Sequence, residues 1–311
     1  MTETTREIFE NHEIRKTKEQ RKSFREWLIF YARSQGYSAR EESVSKKAAN
    51  VIVGDPAKAS VVYTAHYDTC PVMPLPNFIT PKCLPIYIVY QLILTTVILI
   101  LPILFMFVLS PMVLRKTDSQ ALYTAMLMFG YAALLFTLFL MRNGPANKHT
   151  ANDNTSGVTL LIDLMTDMPE EMRDKVAYIF FDAEELGTVG SKVYKKKHPQ
   201  FARSTPVINF DCISEGKNIL IVAKRRAASL EQKLSEAFRS DGTFTVEIAT
   251  KGVFYPSDQR NFELGVGVAA LQKTKHGLLY MNKIHTKRDT VYDEENIAYL
   301  KSRAIDLARI I

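Results

Sequence analysis

Three apolar runs in this chain end in residues able to bind metal or move protons. Val61-Val62-Tyr63-Thr64-Ala65 leads into His66-Tyr67-Asp68, Val176–Phe181 into Asp182-Ala183-Glu184-Glu185, and Val207–Phe210 into Asp211. Open α/β sheets carry their chemistry at the carboxyl ends of strands. Asp153, within Asn152-Asp153-Asn154-Thr155-Ser156-Gly157, and His285, within Ile284-His285-Thr286, add to the set. Two imidazoles and several carboxylates are the ligand mix for a pair of zinc ions, which commonly share a carboxylate and each keep an open position. His66, Asp153 and Asp211 can serve one ion. His285, Glu185 and the other oxygen of Asp153 can serve the second. Asp68, two residues after His66, can turn back to hold the ring's other nitrogen. Glu184 is left over beside a proposed ligand, where a general base belongs.

Each fragment alone also has an ordinary reading. A His-x-Asp string can be a chance loop, and a Glu-Glu pair suits the start of a solvated helix. Asp-Asn-x-Ser-Gly reads as a turn and N-cap before the apolar run Val158–Met165. Asp211 can be a buried capping acid and His285 a plain loop histidine. The joint case is stronger, because the fragments border periodic elements and together supply a complete set of ligands.

Those elements alternate. Residues 13–36 read as a helix, with Phe24, Trp27, Leu28 and Tyr31 at helical spacing. Strands are expected at 51–53, 61–64, 176–181, 207–210, 219–222 and 267–271. Helices are expected at 155–166, 189–197, 227–238 and 296–310. This order predicts an α/β three-layer sandwich around a mostly parallel, mixed sheet.

With these residues in place, the chain resembles the di-zinc aminopeptidases, a superfamily that also holds glutamate carboxypeptidase and glutaminyl cyclase. The matching strings are Ala65-His66-Tyr67-Asp68-Thr69, Asn152–Gly157, Phe181-Asp182-Ala183-Glu184-Glu185-Leu186-Gly187 with Gly190-Ser191, Asn209-Phe210-Asp211, Ser257-Asp258 before Phe262, and Ile284–Thr290. They occur in the family's order across about residues 50 to 300. The resemblance implies the zinc exopeptidase fold with two zinc ions per chain. It implies a bridging role for Asp153, a base role for Glu184, ligand roles for His66, Glu185, Asp211 and His285, and a strained or cis peptide beside Asp153. It also implies a substrate peptide with a free amino terminus, and a tyrosine that helps hold the oxyanion. Tyr255 is the candidate, set against a plain packing role. Gln259 stands where family members often carry histidine.

One segment departs from the family. Cys83–Leu114 has no charged residue over 32 positions and Ser119–Met141 none over 23, with Arg115-Lys116-Thr117-Asp118 between them. Each run exceeds the roughly 20 apolar residues needed to cross a bilayer. Ile, Leu, Phe and Met cover all faces rather than one stripe. Residues 83–141 therefore read as a transmembrane hairpin, with Pro102 expected to kink its first helix. It is inserted into a catalytic domain made of 1–82 and 142–311.

The chain has 311 residues and a formal net charge of +7. Basic residues gather at Arg15–Arg25, Lys192–His198 and Lys224–Arg226. They read either as solvated surface or as attraction to anionic lipid headgroups. No nucleic-acid-binding motif is visible. Cys70, Cys83 and Cys212 form no disulfide framework. The first 27 residues are too densely charged for a signal peptide, so the catalytic domain is expected in the cytoplasm. The sequence thus predicts a membrane-anchored zinc aminopeptidase, with lipid and a peptide as partners. The alternatives are a single-zinc cyclase or amidase on the same fold, and an inactive binding scaffold.

Overall fold

The chain opens with α1 (Glu3–Asn11), α2 (Lys18–Ser34) and a strand pair, β1 (Ala39–Ser45) and β2 (Ala48–Val53). The structure, a computed structural model, describes all residues 1–311. After β3 (Val61–His66) come the two apolar helices, α3 (Leu84–Thr117) and α4 (Gln120–Asn143). The remainder is α5 (Ser156–Asp167), β4 (Val176–Phe181), α6 (Val189–Lys197), α7 (Pro199–Ser204), β5 (Val207–Phe210) and β6 (Asn218–Ala223). It closes with α8 (Glu231–Ala237), β7 (Thr245–Ala249), β8 (Gly265–Lys273), β9 (Leu279–Tyr280) and α9 (Glu294–Ile310). The expected first helix starts at Lys18 rather than residue 13. There the Thr17 hydroxyl accepts a hydrogen bond from the Gln20 backbone and the Gln20 side-chain oxygen accepts one from the Thr17 backbone, a reciprocal cap that fixes the boundary.

The strands order as β1-β2-β4-β3-β5-β8-β6-β7, with β9 on β8. The centre, β4-β3-β5-β8, is parallel. It is flanked by antiparallel joins from β2 to β4 and from β8 to β6. Parallel central strands are covered on both faces and need no polar alternation. β3 and β4 are accordingly buried at every position. Their side chains still alternate between two cores. Val61, Tyr63, Ala65, Val176, Tyr178 and Phe180 enter a 43-residue cluster with residues of α2, α5 and α9. Val62, Ala177, Ile179 and Phe181 enter a 10-residue cluster with Tyr194 of α6 and Phe201 of α7. His66 lies directly opposite Phe181, and Thr64 opposite Asn209. The three ligand-bearing strand ends therefore lie side by side on one sheet edge.

The cluster Arg15–Arg25 is only in part the solvated surface the sequence reading offered: Lys18 and Lys22 are exposed, but its arginines turn inward. Arg15 is fully buried and Arg25 is 7% exposed. Arg15 donates to the carbonyls of His12 and Tyr67 and to the Thr155 hydroxyl. Arg21 pairs with buried Asp182 at 3.1 Å. These cations fasten the amino-terminal helices to the loops behind the strand ends.

α3 and α4 are long and apolar enough to cross a membrane, and only 6% of either apolar window is buried within the chain. They are not core helices of this chain. α3 has 34 residues and α4 has 24, or about 51 and 36 Å. Around Pro102 and Pro111, α3 takes π-helical turns at Thr96–Ile100 and Phe105–Leu109. These wider turns lie just before each proline, where the ring displaces the ordinary hydrogen bond. Phe105 packs on Phe129 and Phe107 on Tyr131, with ring centroids 6.1 and 6.5 Å apart. Gly130 faces Met106 so closely that a Cβ there would stand 2.3 Å from Met106 Cγ. Continuing this antiparallel register brings Asn143, the end of α4, level with Ile93. The residues before it, Leu84–Leu92, overhang by about 14 Å. The overhang packs on the catalytic domain through Tyr87 against Phe254 (5.4 Å) and Tyr90 against Phe78 (5.7 Å).

Candidate metal centre

β3 delivers His66, the turn after β4 delivers Glu184 and Glu185, and the turn after β5 delivers Asp211. The loop before α5 brings Asp153 between them. This loop is held from several sides. Asn152 Oδ1 accepts from the Ser214 backbone at 2.7 Å, and Asn154 Oδ1 accepts from Gly157 at 3.1 Å and Cys212 at 3.3 Å. Gly157 is needed for this approach, since a Cβ there would stand 2.5 Å from the Phe210 carbonyl. The Asp153–Asn154 peptide is cis.

Asp153 reaches both imidazoles with separate oxygens. Oδ1 is 3.3 Å from His66 Nε2, and Oδ2 is 2.9 Å from His285 Nε2. Asp211 Oδ1 is 3.6 Å from His66 Nε2, and Glu185 Oε2 is 3.3 Å from His285 Nε2. Two ligand groups result. In one, donor atoms of His66, Asp153 and Asp211 lie within 4.8 Å of one another; in the other, those of Cys70, Glu185 and His285 do. The structure therefore brings the five sequence-predicted ligands together.

Asp68 does more than its expected role. His66 Nδ1 lies 3.1 Å from the Asp68 main-chain oxygen and 3.7 Å from its carboxylate, so the residue does turn back to the ring. The carboxylate also accepts from the backbones of Glu184 at 2.9 Å and Glu185 at 3.2 Å. Asp68 therefore orients the Glu184-Glu185 turn as well as the imidazole. Tyr255 is buried, and its hydroxyl donates to the Asp211 carbonyl at 2.9 Å, a packing contact that steadies Asp211.

Three residues here were not read from the sequence. Asp289, 1% exposed, accepts from the Asn152 backbone at 2.8 Å and from Asp153 at 3.0 Å. Arg15 ties Tyr67 to Thr155. Cys70 joins the second ligand group. The only sequence signal for Cys70 was its place in His66-Tyr67-Asp68-Thr69-Cys70.

The electrostatics call for positive charge. Burial pushes the Glu185 carboxyl up to about 8. Burial also pushes Glu184 well above the carboxylate range, and the charges of Asp258 and Asp211 add to this against the pull of His66. Burial disfavours a charged His285, but Glu185 and Asp153 outweigh it and carry the ring up to about 10. His66 is raised too, burial being overcome by hydrogen bonds to Asp153, Asp211 and Asp68. Without a cation, these groups take up protons to offset one another. Glu185 Oε1 is buried with no hydrogen-bond partner. An orphaned carboxylate oxygen amid imidazoles and acids fits zinc.

A model of Peptidase family M28 matches residues 137–307. Comparison with curated proteins gives no match. Among solved structures, a Zn-dependent exopeptidase from Parabacteroides distasonis is 15% identical with TM-score 0.57, covering 98% of this chain and 97% of its own. Porphyromonas gingivalis glutaminyl cyclase is 16% identical with TM-score 0.56, covering 94% and 90%. The Legionella pneumophila LapA aminopeptidase is 13% identical with TM-score 0.56, covering 98% and 69%. At these identities the likeness is one of fold.

Proposed function

The chain belongs to Peptidase family M28, and from that premise we propose that it is a membrane-anchored zinc aminopeptidase holding two zinc ions. The single observation that carries the reading is the double reach of Asp153, one oxygen toward each imidazole. His66, Asp153 and Asp211 would hold one ion, and His285, Glu185 and Asp153 the other. When bound, zinc supplies a Lewis acid that polarises the scissile carbonyl and an acidified water. Glu184 takes the proton of the attacking water and later passes it to the leaving amine. Asp68 fixes the turn that aims Glu184, and Asp289 fixes the loop that aims Asp153. Positive charge beside Glu184 would draw its raised carboxyl back toward the ionised form that a base requires.

The exposed apolar hairpin supports anchoring in a bilayer. A second reading, a glutaminyl cyclase, draws support from the cyclase neighbour. The complete five-residue ligand set favours the first. The test is the purified full chain in detergent, assayed for metal content and offered aminoacyl reporters, amino-blocked peptides and amino-terminal glutaminyl peptides. About two zincs per chain are expected, with hydrolysis that requires a free amino terminus. Glu184→Gln should keep the metal and lose roughly 10²–10⁴-fold in turnover. Cyclisation of the glutaminyl peptides with one zinc per chain would replace this reading with the second.

A further inference from the structure

A cavity of about 250 Å³ opens beside His285. One wall is the loop carrying Met73, Leu75 and Ile79. The other is α3 of the hairpin, from which Tyr87, Gln91, Leu94 and Ile98 line it. These four fall at steps of four, three and four residues, which puts them on one stripe of the helix. They are half-buried, while Leu92, Ile93 and Val97 on other faces are exposed. Met141, near the end of α4, also lines the cavity, and the hairpin register sets it level with about Leu94. The cavity therefore runs from the candidate metal centre to the height at which the paired hairpin begins.

Its chemistry is selective. No Asp, Glu, Lys or Arg lines it, and His285 is the one residue there that can carry a positive charge. A charged side chain entering it would lose water and find no counter-charge, whereas an apolar one would gain burial. Its volume is below the roughly 300–1,000 Å³ of sites that hold a whole small ligand. It suits one or two side chains of something larger whose reacting bond lies at His285.

We propose that this cavity is the specificity pocket for a large, uncharged apolar side chain of the substrate peptide, and that α3 sets that preference through Gln91, Leu94 and Ile98. The proposal rests on the exopeptidase reading above and adds a substrate class to it. It gives the insertion a role in selection: the same helix that the lipid would hold forms the wall of the site.

The experiment uses the full chain in detergent with leucyl, phenylalanyl, alanyl and lysyl reporters. Leu94→Trp fills the cavity and should lower the leucyl-to-alanyl ratio of kcat/KM by about tenfold or more. Gln91→Glu changes almost no volume, so it tests the wall where a bulky variant fails to fold. It should raise the lysyl-to-leucyl ratio by about tenfold. Unchanged ratios in both variants, with zinc still bound, would overturn the pocket. If wild type hydrolyses no reporter, the exopeptidase reading fails by itself. The pocket is then judged by binding of leucinamide and lysinamide to the zinc-loaded chain in equilibrium dialysis. Preference for leucinamide that Leu94→Trp abolishes would uphold it, and equal binding of the two would overturn it.

Discussion

Replacing Asp289 with asparagine separates the positioning of the bridging loop from the ligands themselves. The Asp289 carboxylate accepts two backbone N–H groups, from Asn152 at 2.8 Å and Asp153 at 3.0 Å, in a site 1% exposed. Asparagine keeps the shape but offers one oxygen and one amide group. At least one buried N–H is then left facing another donor, at a cost of about 1–3 kcal/mol. The loop can relieve that clash only by moving, and Asp153 rides on it. Asp153 spans His66 at 3.3 Å and His285 at 2.9 Å with separate oxygens, so a shift that improves one contact worsens the other. Loss of a group that orients a metal ligand typically lowers metal affinity about 10–100-fold. Zinc competition against a chromophoric chelator, on the full chain in detergent, measures this. The metal-free protein should also melt at lower temperature. Zinc affinity within twofold of wild type, together with lowered melting, would refute the positioning argument and leave Asp289 a part of the fold alone.

Other outcomes follow from the same structure. Glu185 at about 8 and His285 at about 10 both hold protons more tightly in the folded, metal-free chain than ordinary side chains do. The folded state therefore binds more protons than the unfolded one, and stability falls as pH rises from about 4 to about 10. Melting of chelated protein should drop from pH 6 to pH 9, and drop less once zinc is restored; a rise with pH would contradict the assignment. Arg15→Met should destabilise the fold by roughly 1–3 kcal/mol for each carbonyl left without a donor. Lys22→Met, in the same basic cluster but 62% exposed, should change it by no more than about 0.5 kcal/mol in thermal or denaturant unfolding. Reporter fusions near Thr117 and at Ile311 should fall on opposite sides of the membrane if the hairpin spans it. A shared side would rule out a spanning hairpin.

The site was legible where chemistry and periodicity coincide. β3, β4 and β5 are continuous apolar runs whose last or next residue is a ligand type, so strand and site announced each other. β1 was not legible. Ala39-Arg40-Glu41-Glu42-Ser43-Val44-Ser45 is a charged edge strand held by its pairing with β2 rather than by burial. β7, at the opposite edge and half-exposed, escaped for the same reason. The roles of Asp68 and Asp289 depend on backbone N–H groups more than a hundred residues away, and residue type carries no sign of them. Arg15 misled because a cation in a charged stretch looks solvated, while its partners are main-chain carbonyls that folding assembles.

The place of the apolar helices in the sequence fixes an order of assembly. β2 and β3 leave the ribosome before the hairpin, and β4, the neighbour of both, leaves after it. Until residues 67–175 have been made, β3 has neither of its parallel partners, and the nascent domain holds only the local β1–β2 pair. The hairpin is complete while the sheet is still open. The central sheet, and with it the gathering of His66, Asp153, Glu185, Asp211 and His285, can close only after the hairpin has been synthesised. A delay before β4 emerges would leave β3 unpaired and β2 open along the edge that β4 later covers, and unpaired apolar strand edges are prone to aggregate.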